Sequence, residues 1–177
     1  MTDRKLAEVM SVVAHDDDFS RWHDPLTQLP RLPALREWSM EKLRNGHEIS
    51  IIFFDIDLLG RINRKYGHVV GDQVLKQVAQ TIKQELDSNT AILCHYGGDE
   101  FVAATLHTLN EAQQLAARIA RKVEETRLPE VHGRVSISYG VSFGQGSDER
   151  DYIHYVATVD DLVFRASQLC MQHGQRR

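Results

Sequence analysis

The chain has 177 residues, 42% hydrophobic and 26% charged, which suits one globular domain with a sizeable core. Twenty-one Lys and Arg against 25 Asp and Glu leave a net charge of -4, which excludes the overall cationic field that holds proteins on nucleic acid or anionic membranes. The longest nearly apolar run, Ile49 to Phe54, is far short of the roughly 20 residues of a membrane helix, and Met1 to Lys5 lead into no signal core. The chain therefore reads as cytoplasmic, with no nucleic-acid partner and no membrane insertion. Cys94 and Cys170 suggest no disulfide framework, and the nine histidines lack the His-x-x-x-His spacing of a zinc helix.

In chain order, Leu6, Val9, Met10 and Val13 recur at i, i+3, i+4, i+7 and predict a short amphipathic helix over 3–14, ended by the acidic run Asp16 to Asp18. Residues 1–23 are read as this helix and a linker, and 24–177 as the domain. The turn-rich Asp24 to Pro30 leads into a helix that starts near Pro33 and stops at Gly46. Ile49 to Phe54 predicts a strand buried on both faces, ending in Asp55 and Asp57. Val74, Leu75, Val78, Ile82 and Leu86 predict a helix over 72–86. Ala91 to Tyr96 and Glu100 to Leu106 form a hairpin about Gly97-Gly98-Asp99. Asn110 is expected to cap a helix bearing Leu115, Ala116, Ile119 and Val123. Alternation from Val135 to Phe143 predicts a half-buried strand, Gly144 to Asp151 a loop, and a last helix begins near Val159 with Thr158 and Asp161 as its capping pair. This order of elements suggests an α/β (α+β) domain with a mainly antiparallel or mixed sheet covered by helices.

Asp55 and Asp57, at i and i+2, share one side of a strand end, where two carboxylates suit a hard divalent cation; solvated acids give the same pattern. In Tyr96-Gly97-Gly98-Asp99-Glu100-Phe101, the glycines leave bare backbone for phosphates and the acids a bridge to a cation, although a plain tight turn also fits. Asn63 and Asp72 read either as helix caps or as base-recognition groups. A carboxylate accepts from guanine N1–H and the exocyclic amine, a donor pair adenine lacks, so Asp72 would select guanine.

These motifs together resemble the GGDEF domain family of diguanylate cyclases. They are Gly97-Gly98-Asp99-Glu100-Phe101, Asp55-Ile56-Asp57, Ile62-Asn63, Gly67-His68-x-x-Gly71-Asp72, Asp24-x-Leu26-Thr27 and Val135-Ser136-Ile137-Ser138-x-Gly140-Val141. The resemblance spans residues 24 to about 170. It implies a fold related to adenylyl cyclases and polymerase palms, and condensation of two GTP to cyclic di-GMP and pyrophosphate with Mg2+ or Mn2+. It also implies metal binding by Asp55, the Ile56 carbonyl and Asp99, with Glu100 as a further metal carboxylate or proton acceptor. Gly97 and Gly98 would line the nucleotide, and Asn63 and Asp72 would hold the guanine edge. Asp57 is expected to brace the strand end by hydrogen bonds. A two-fold product from one GTP per protomer implies a homodimer during catalysis.

The chain departs from the family pattern where cations are expected. Leu59-Gly60 replaces a Phe-Lys pair and Ala166-Ser167 an Ala-Lys pair, while Arg64 stands where an Asp is common. Each lost charge-assisted contact costs roughly 1.5–3 kcal/mol. Arg31, Arg61, Arg64, Lys65 and Arg165 are the candidate replacements. Gln28 takes the place of a glycine, and Ser88 and Ala91 replace the product-binding Arg-x-x-Asp, so product feedback there is not expected. Two further readings stand beside the cyclase: a degenerate domain acting as a non-enzymatic GTP-binding or protein-interaction regulator, and a nucleotidyl cyclase for another base.

Overall fold

The computed structural model describes residues 22–145 and 152–174. The expected helix over 3–14 lies outside them. The elements are α1 (Leu32–Arg44), β1 (Glu48–Ile56), α2 (Leu59–Tyr66), α3 (His68–Glu85), β2 (Ala91–Gly97), β3 (Glu100–Thr105), α4 (Leu109–Glu125), β4 (Ile137–Gln145) and α5 (Tyr152–Gly174). The sheet order is β2-β3-β1-β4, and every pairing is antiparallel. The α+β expectation holds, and the sheet, read as antiparallel or mixed, is antiparallel throughout.

Alternation along the strands sends side chains to two cores. Ile52, Phe54, Phe101 and Ala103 pack with Val74 and Val78 of α3 and Leu115 and Ile119 of α4. Ile51, Phe53, Val102 and Ala104 pack with Leu35 and Leu43 of α1 and Val159, Leu162 and Ala166 of α5. The inner strand β1 is buried on both faces, as its continuous apolar run predicts. Asp55 continues the Ile51-Phe53 row and so points to the α5 side of the sheet. Among the described residues no helix is long and apolar enough to cross a membrane.

Several local expectations are corrected. The stretch between β1 and α3 is itself helical: Leu58 takes a left-handed corner (φ 60°), α2 runs for two turns, and Gly67 (φ 90°) breaks it. The next helix therefore starts at His68 rather than at 72, and neither Asn63 nor Asp72 is a cap. The cap of α4 is Thr108, in a reciprocal capping box with Glu111, not Asn110. The helix expected from Val159 begins at Tyr152; Thr158 lies inside it, bonded to the His154 carbonyl, and Asp161 pairs with Arg165. Of the loop expected over 144–151, the first two residues continue β4 and the rest lies outside the described residues.

The strand β4 is not half-buried, because Ser138, Gly140 and Ser142 are also covered. They are small because α5 lies directly on them. A Cβ on Gly140 would stand 2.1 Å from the Ala166 carbonyl oxygen and 2.3 Å from the Cys170 nitrogen, both backbone. Gly140→Ala is therefore expected to force α5 outward and to cost about 2 kcal/mol in urea unfolding, whereas Gly133→Ala, with open space around it, tests only its backbone conformation.

Candidate active site

The carboxyl end of β1 and the β2–β3 turn assemble one acidic corner. In the β1–β3 register Asp55 stands opposite Glu100, and the Ile56 amide donates to the Asp99 carbonyl at 3.1 Å. Burial, then the charges of Asp99, Glu100 and Asp57, pushes the Asp55 carboxyl up to about 6. Burial and Asp99 raise Glu100 as well. Like charges gathered at one point favour either a proton or a cation.

Asp57 has a different role. Its carboxylate accepts from the Ser136 hydroxyl at 2.5 Å and the Ser138 hydroxyl at 2.6 Å, and its amide donates to the Ser136 carbonyl at 3.0 Å. It braces the end of β1 against β4, as expected. Both serines belong to the Val135-Ser136-Ile137-Ser138 motif, and the structure gives them a role that the motif alone does not state: their hydroxyls hold Asp57.

A cavity of about 370 Å³ opens beside the acids, lined by Phe53, Asp55, Asp57 and Glu100 from the sheet side and Ser167, Cys170 and Met171 from α5. Among the described residues no cationic side chain lines it. Burial, reinforced by Asp55, Asp57 and Glu100, pushes the Cys170 thiol up to about 12, so it is a neutral wall and not a nucleophile. Tyr96 sits edge-on to Phe53 at 5.4 Å and is itself exposed.

The glycine turn is open. Gly98 has φ 59°, a conformation that favours glycine, and a Cβ on either Gly97 or Gly98 would meet nothing within 4 Å. A ligand can approach this backbone closely. Asn63 presses on Gly71, whose missing Cβ would lie 1.8 Å from Asn63 Oδ1. That Oδ1 is buried with no hydrogen-bond partner, a condition that costs roughly 1–3 kcal/mol unless a ligand donates to it. Asp72, the residue after Gly71, is exposed on α3. Asn63 thus packs on the helix position that immediately precedes Asp72.

The candidate cations separate. Arg31 donates to the His23 carbonyl at 3.1 Å, Arg165 pairs with Asp161 at 2.9 Å, and Lys65 lies over the Tyr66 ring at 4.8 Å. Arg64 folds back one turn of α2, its Nη1 3.7 Å from where a Gly60 Cβ would stand. The bare face of Gly60 is thus covered by a guanidinium. Gln28, which replaces a glycine, adopts φ 58° and donates to the Pro25 carbonyl at 2.8 Å, a strain of roughly 1–2 kcal/mol.

Asp55, Asp99, Glu100 and the Ile56 carbonyl offer only oxygen donors, the set Mg2+ and Mn2+ take. Among the described residues no three acidic, His or Cys side chains already converge at ligand spacing. A magnesium site of one or two carboxylates completed by substrate phosphates and water does not require three. The donor chemistry and the raised Asp55 carboxyl fit such an ion.

Known proteins share this chain's sequence pattern and its fold. The family model described as "Diguanylate cyclase, GGDEF domain" matches residues 21–172. The chain is 29% identical over 127 residues to diguanylate cyclase DosC of Escherichia coli K12, covering 71% of this chain and 27% of that protein. It is 27% identical over 164 residues to the cyclic di-GMP phosphodiesterase PdeR of the same strain, covering 88% of this chain and 23% of that protein. The chain therefore spans about a quarter of the length of these relatives. In fold it is similar to the coiled coil and GGDEF domain of DgcB from Caulobacter crescentus, solved with c-di-GMP. The TM-score is 0.71 at 20% identity, with 93% of this chain and 91% of that one covered.

Proposed function

The chain belongs to the GGDEF domain family, and on that premise we propose that it is a diguanylate cyclase, condensing two GTP into cyclic di-GMP with release of two pyrophosphates. The observation that carries the reading is the gathering of Asp55, Asp99 and Glu100 at one strand end, with the Asp55 carboxyl pushed up to about 6 by burial and by its acidic neighbours. Bound there, Mg2+ or Mn2+ would neutralise the triphosphate and ease deprotonation of the attacking hydroxyl. Asp55, the Ile56 carbonyl and Asp99 would hold it.

The chain's own residues then do the rest. Asn63 and Asp72 orient guanine, the buried Asn63 Oδ1 gaining the donor it lacks in the free protein. Gly97 and Gly98 present bare backbone to the phosphates. Glu100, raised by burial and by Asp99, takes the proton from the attacking 3'-hydroxyl. The new O–P bond forms as the bond to pyrophosphate breaks. Two such events are needed per product, so two protomers face each other during catalysis.

Incubating the purified chain with GTP and Mg2+ or Mn2+ should yield cyclic di-GMP, identified by mass. None at high protein concentration overturns the reading. One observation favours the alternative of a GTP-binding or protein-interaction regulator: among the described residues no cation lines the cavity, where α5 presents Ser167 and Met171. GTP binding without turnover is its signature.

Two variants test the parts. Arg64→Ala should raise KM for GTP about tenfold and leave kcat nearly unchanged, since a phosphate contact kept from ground state to transition state acts on binding alone. Gly71→Ala should push the Asn63 carboxamide from its place and weaken GTP binding about tenfold by calorimetry, while circular dichroism stays that of the parent. ATP, by the same reading, should bind neither form well.

A further inference from the structure

His95 lies on β2, stacked on Phe101 of β3 with ring centroids 4.9 Å apart, and each of its ring nitrogens meets an acceptor. Nδ1 is 3.1 Å from Asp24 Oδ1, and Nε2 is 3.2 Å from the Gly98 carbonyl oxygen. A neutral imidazole has one N–H and one lone pair, so it can satisfy only one of these two acceptors. The imidazolium donates to both.

We infer that His95, as the imidazolium, is a positioning residue that latches the lead-in turn to the glycine turn, and that loss of its proton releases one of the two. The lead-in side is tightly organised around the same oxygen: Asp24 Oδ1 also accepts from the Leu26 amide at 3.1 Å, the Thr27 amide at 2.8 Å and the Thr27 hydroxyl at 2.9 Å. The His95 amide donates to the Pro30 carbonyl at 2.9 Å, so ring and backbone both tie the turn to β2. On the other side, Gly98 precedes Asp99, whose carbonyl receives the Ile56 amide at the end of β1. One chain of contacts thus runs from Thr27 through Asp24 and His95 to the turn that carries Asp99 and Glu100.

The groups facing the ring are few. Asp24 faces it from the lead-in turn; burial would raise that carboxyl, but the Thr27 amide, His95 and the Thr27 hydroxyl outweigh it and hold the group below the usual carboxylate range, as an anion. β3 presents only the Phe101 ring to it. From α3, Lys76 borders the groove formed with Leu26 and Thr27. Among the described residues no other charged group pairs with His95.

The latch stands without the cyclase reading; only its effect on turnover rests on that proposal. The test is a 15N-resolved titration of the full chain across about pH 5–8, where imidazoles titrate, with His95 assigned by its loss in His95→Arg. Both ring nitrogens should carry protons at the acid end, and the Leu26, Thr27 and Asp99 amides should shift with the ring's own midpoint. In His95→Arg, which stays charged, those amides should not move over that range. A single neutral tautomer at the acid end, or a ring that titrates while these amides stay still, overturns the inference. In a turnover assay, the parent should lose about fivefold relative to His95→Arg on the alkaline side. A protein with no turnover at all would count against the proposed function and leave the spectral result to decide the latch.

Discussion

Asp55→Asn is expected to abolish metal-dependent turnover, by about 1,000-fold or more, and to make the protein more stable above pH 6. The first effect follows from removing a charged oxygen ligand at the point where phosphate charge must be neutralised, a contribution of several kcal/mol to the barrier. The second follows from the direction of the Asp55 shift. Its carboxyl is raised from 3.8 to about 6 in the fold, by burial and then by Asp99, Glu100 and Asp57. The folded protein therefore holds a proton that the unfolded chain has released between those values, and stability falls as pH rises through that window. The deficit is complete above about pH 6 and absent below 3.8. Asparagine carries no charge, so the variant gains over the parent at pH 7–8 and matches it near pH 3.5.

Melting curves at the two pH values measure this difference. Saturating Mn2+ should invert it at pH 7.5, since an ion that binds only the fold raises the parent's melting temperature and not the variant's. Below pH 6 the parent's affinity for Mn2+ should fall as Asp55 takes up its proton. A variant no more stable than the parent at pH 8 would mean that neither burial nor the neighbouring carboxylates disfavour the Asp55 charge, and the argument for a cation there would fail with it.

Ser167→Lys is expected to lower KM for GTP by about ten- to a hundredfold. Ser167 lines the same cavity as Asp55 and Glu100, on the α5 wall, and its hydroxyl is turned back to the Phe164 carbonyl at 2.8 Å. A lysine from that position adds one charge-assisted phosphate contact, worth roughly 1.5–3 kcal/mol. The ammonium would also draw the Asp55 carboxyl down from about 6 and carry the acid limb of the pH profile with it. Steady-state kinetics at several pH values separate the two effects. A shifted limb with unchanged KM would place the triphosphate away from α5, on the side where Arg64 covers Gly60.

The lead-in turn shows how far local departures from the family pattern can be absorbed. Gln28 takes the left-handed conformation a glycine would adopt freely, and its side chain bonds the Pro25 carbonyl. The turn keeps its shape because Asp24, Thr27 and His95 hold it from the other side. The missing lysines are a different matter: among the described residues no cation lines the cavity beside the acids.

Features carried by neighbours in the chain were legible in the residues alone. The apolar run of β1, the glycine turn with its two acids, the helical stripe of α3 and the family to which they belong all rest on periods of two to four residues or on unbroken motifs. Even the bracing role of Asp57 could be expected, though not its partners. Only the tertiary structure decided those partners, because Ser136 lies 79 residues from Asp57 and meets it solely through the β1–β4 register. The same holds for the full burial of β4, whose small residues became meaningful once α5 lay on Gly140, and for α2, a two-turn helix with one buried residue and hence little apolar stripe to read. The cavity between the acids and α5 and the two acceptors facing His95 belong to this second class. Periodicity records which face of an element is covered, whereas the group that covers it is chosen by register and layer order, and these bring together residues with no fixed spacing in the chain.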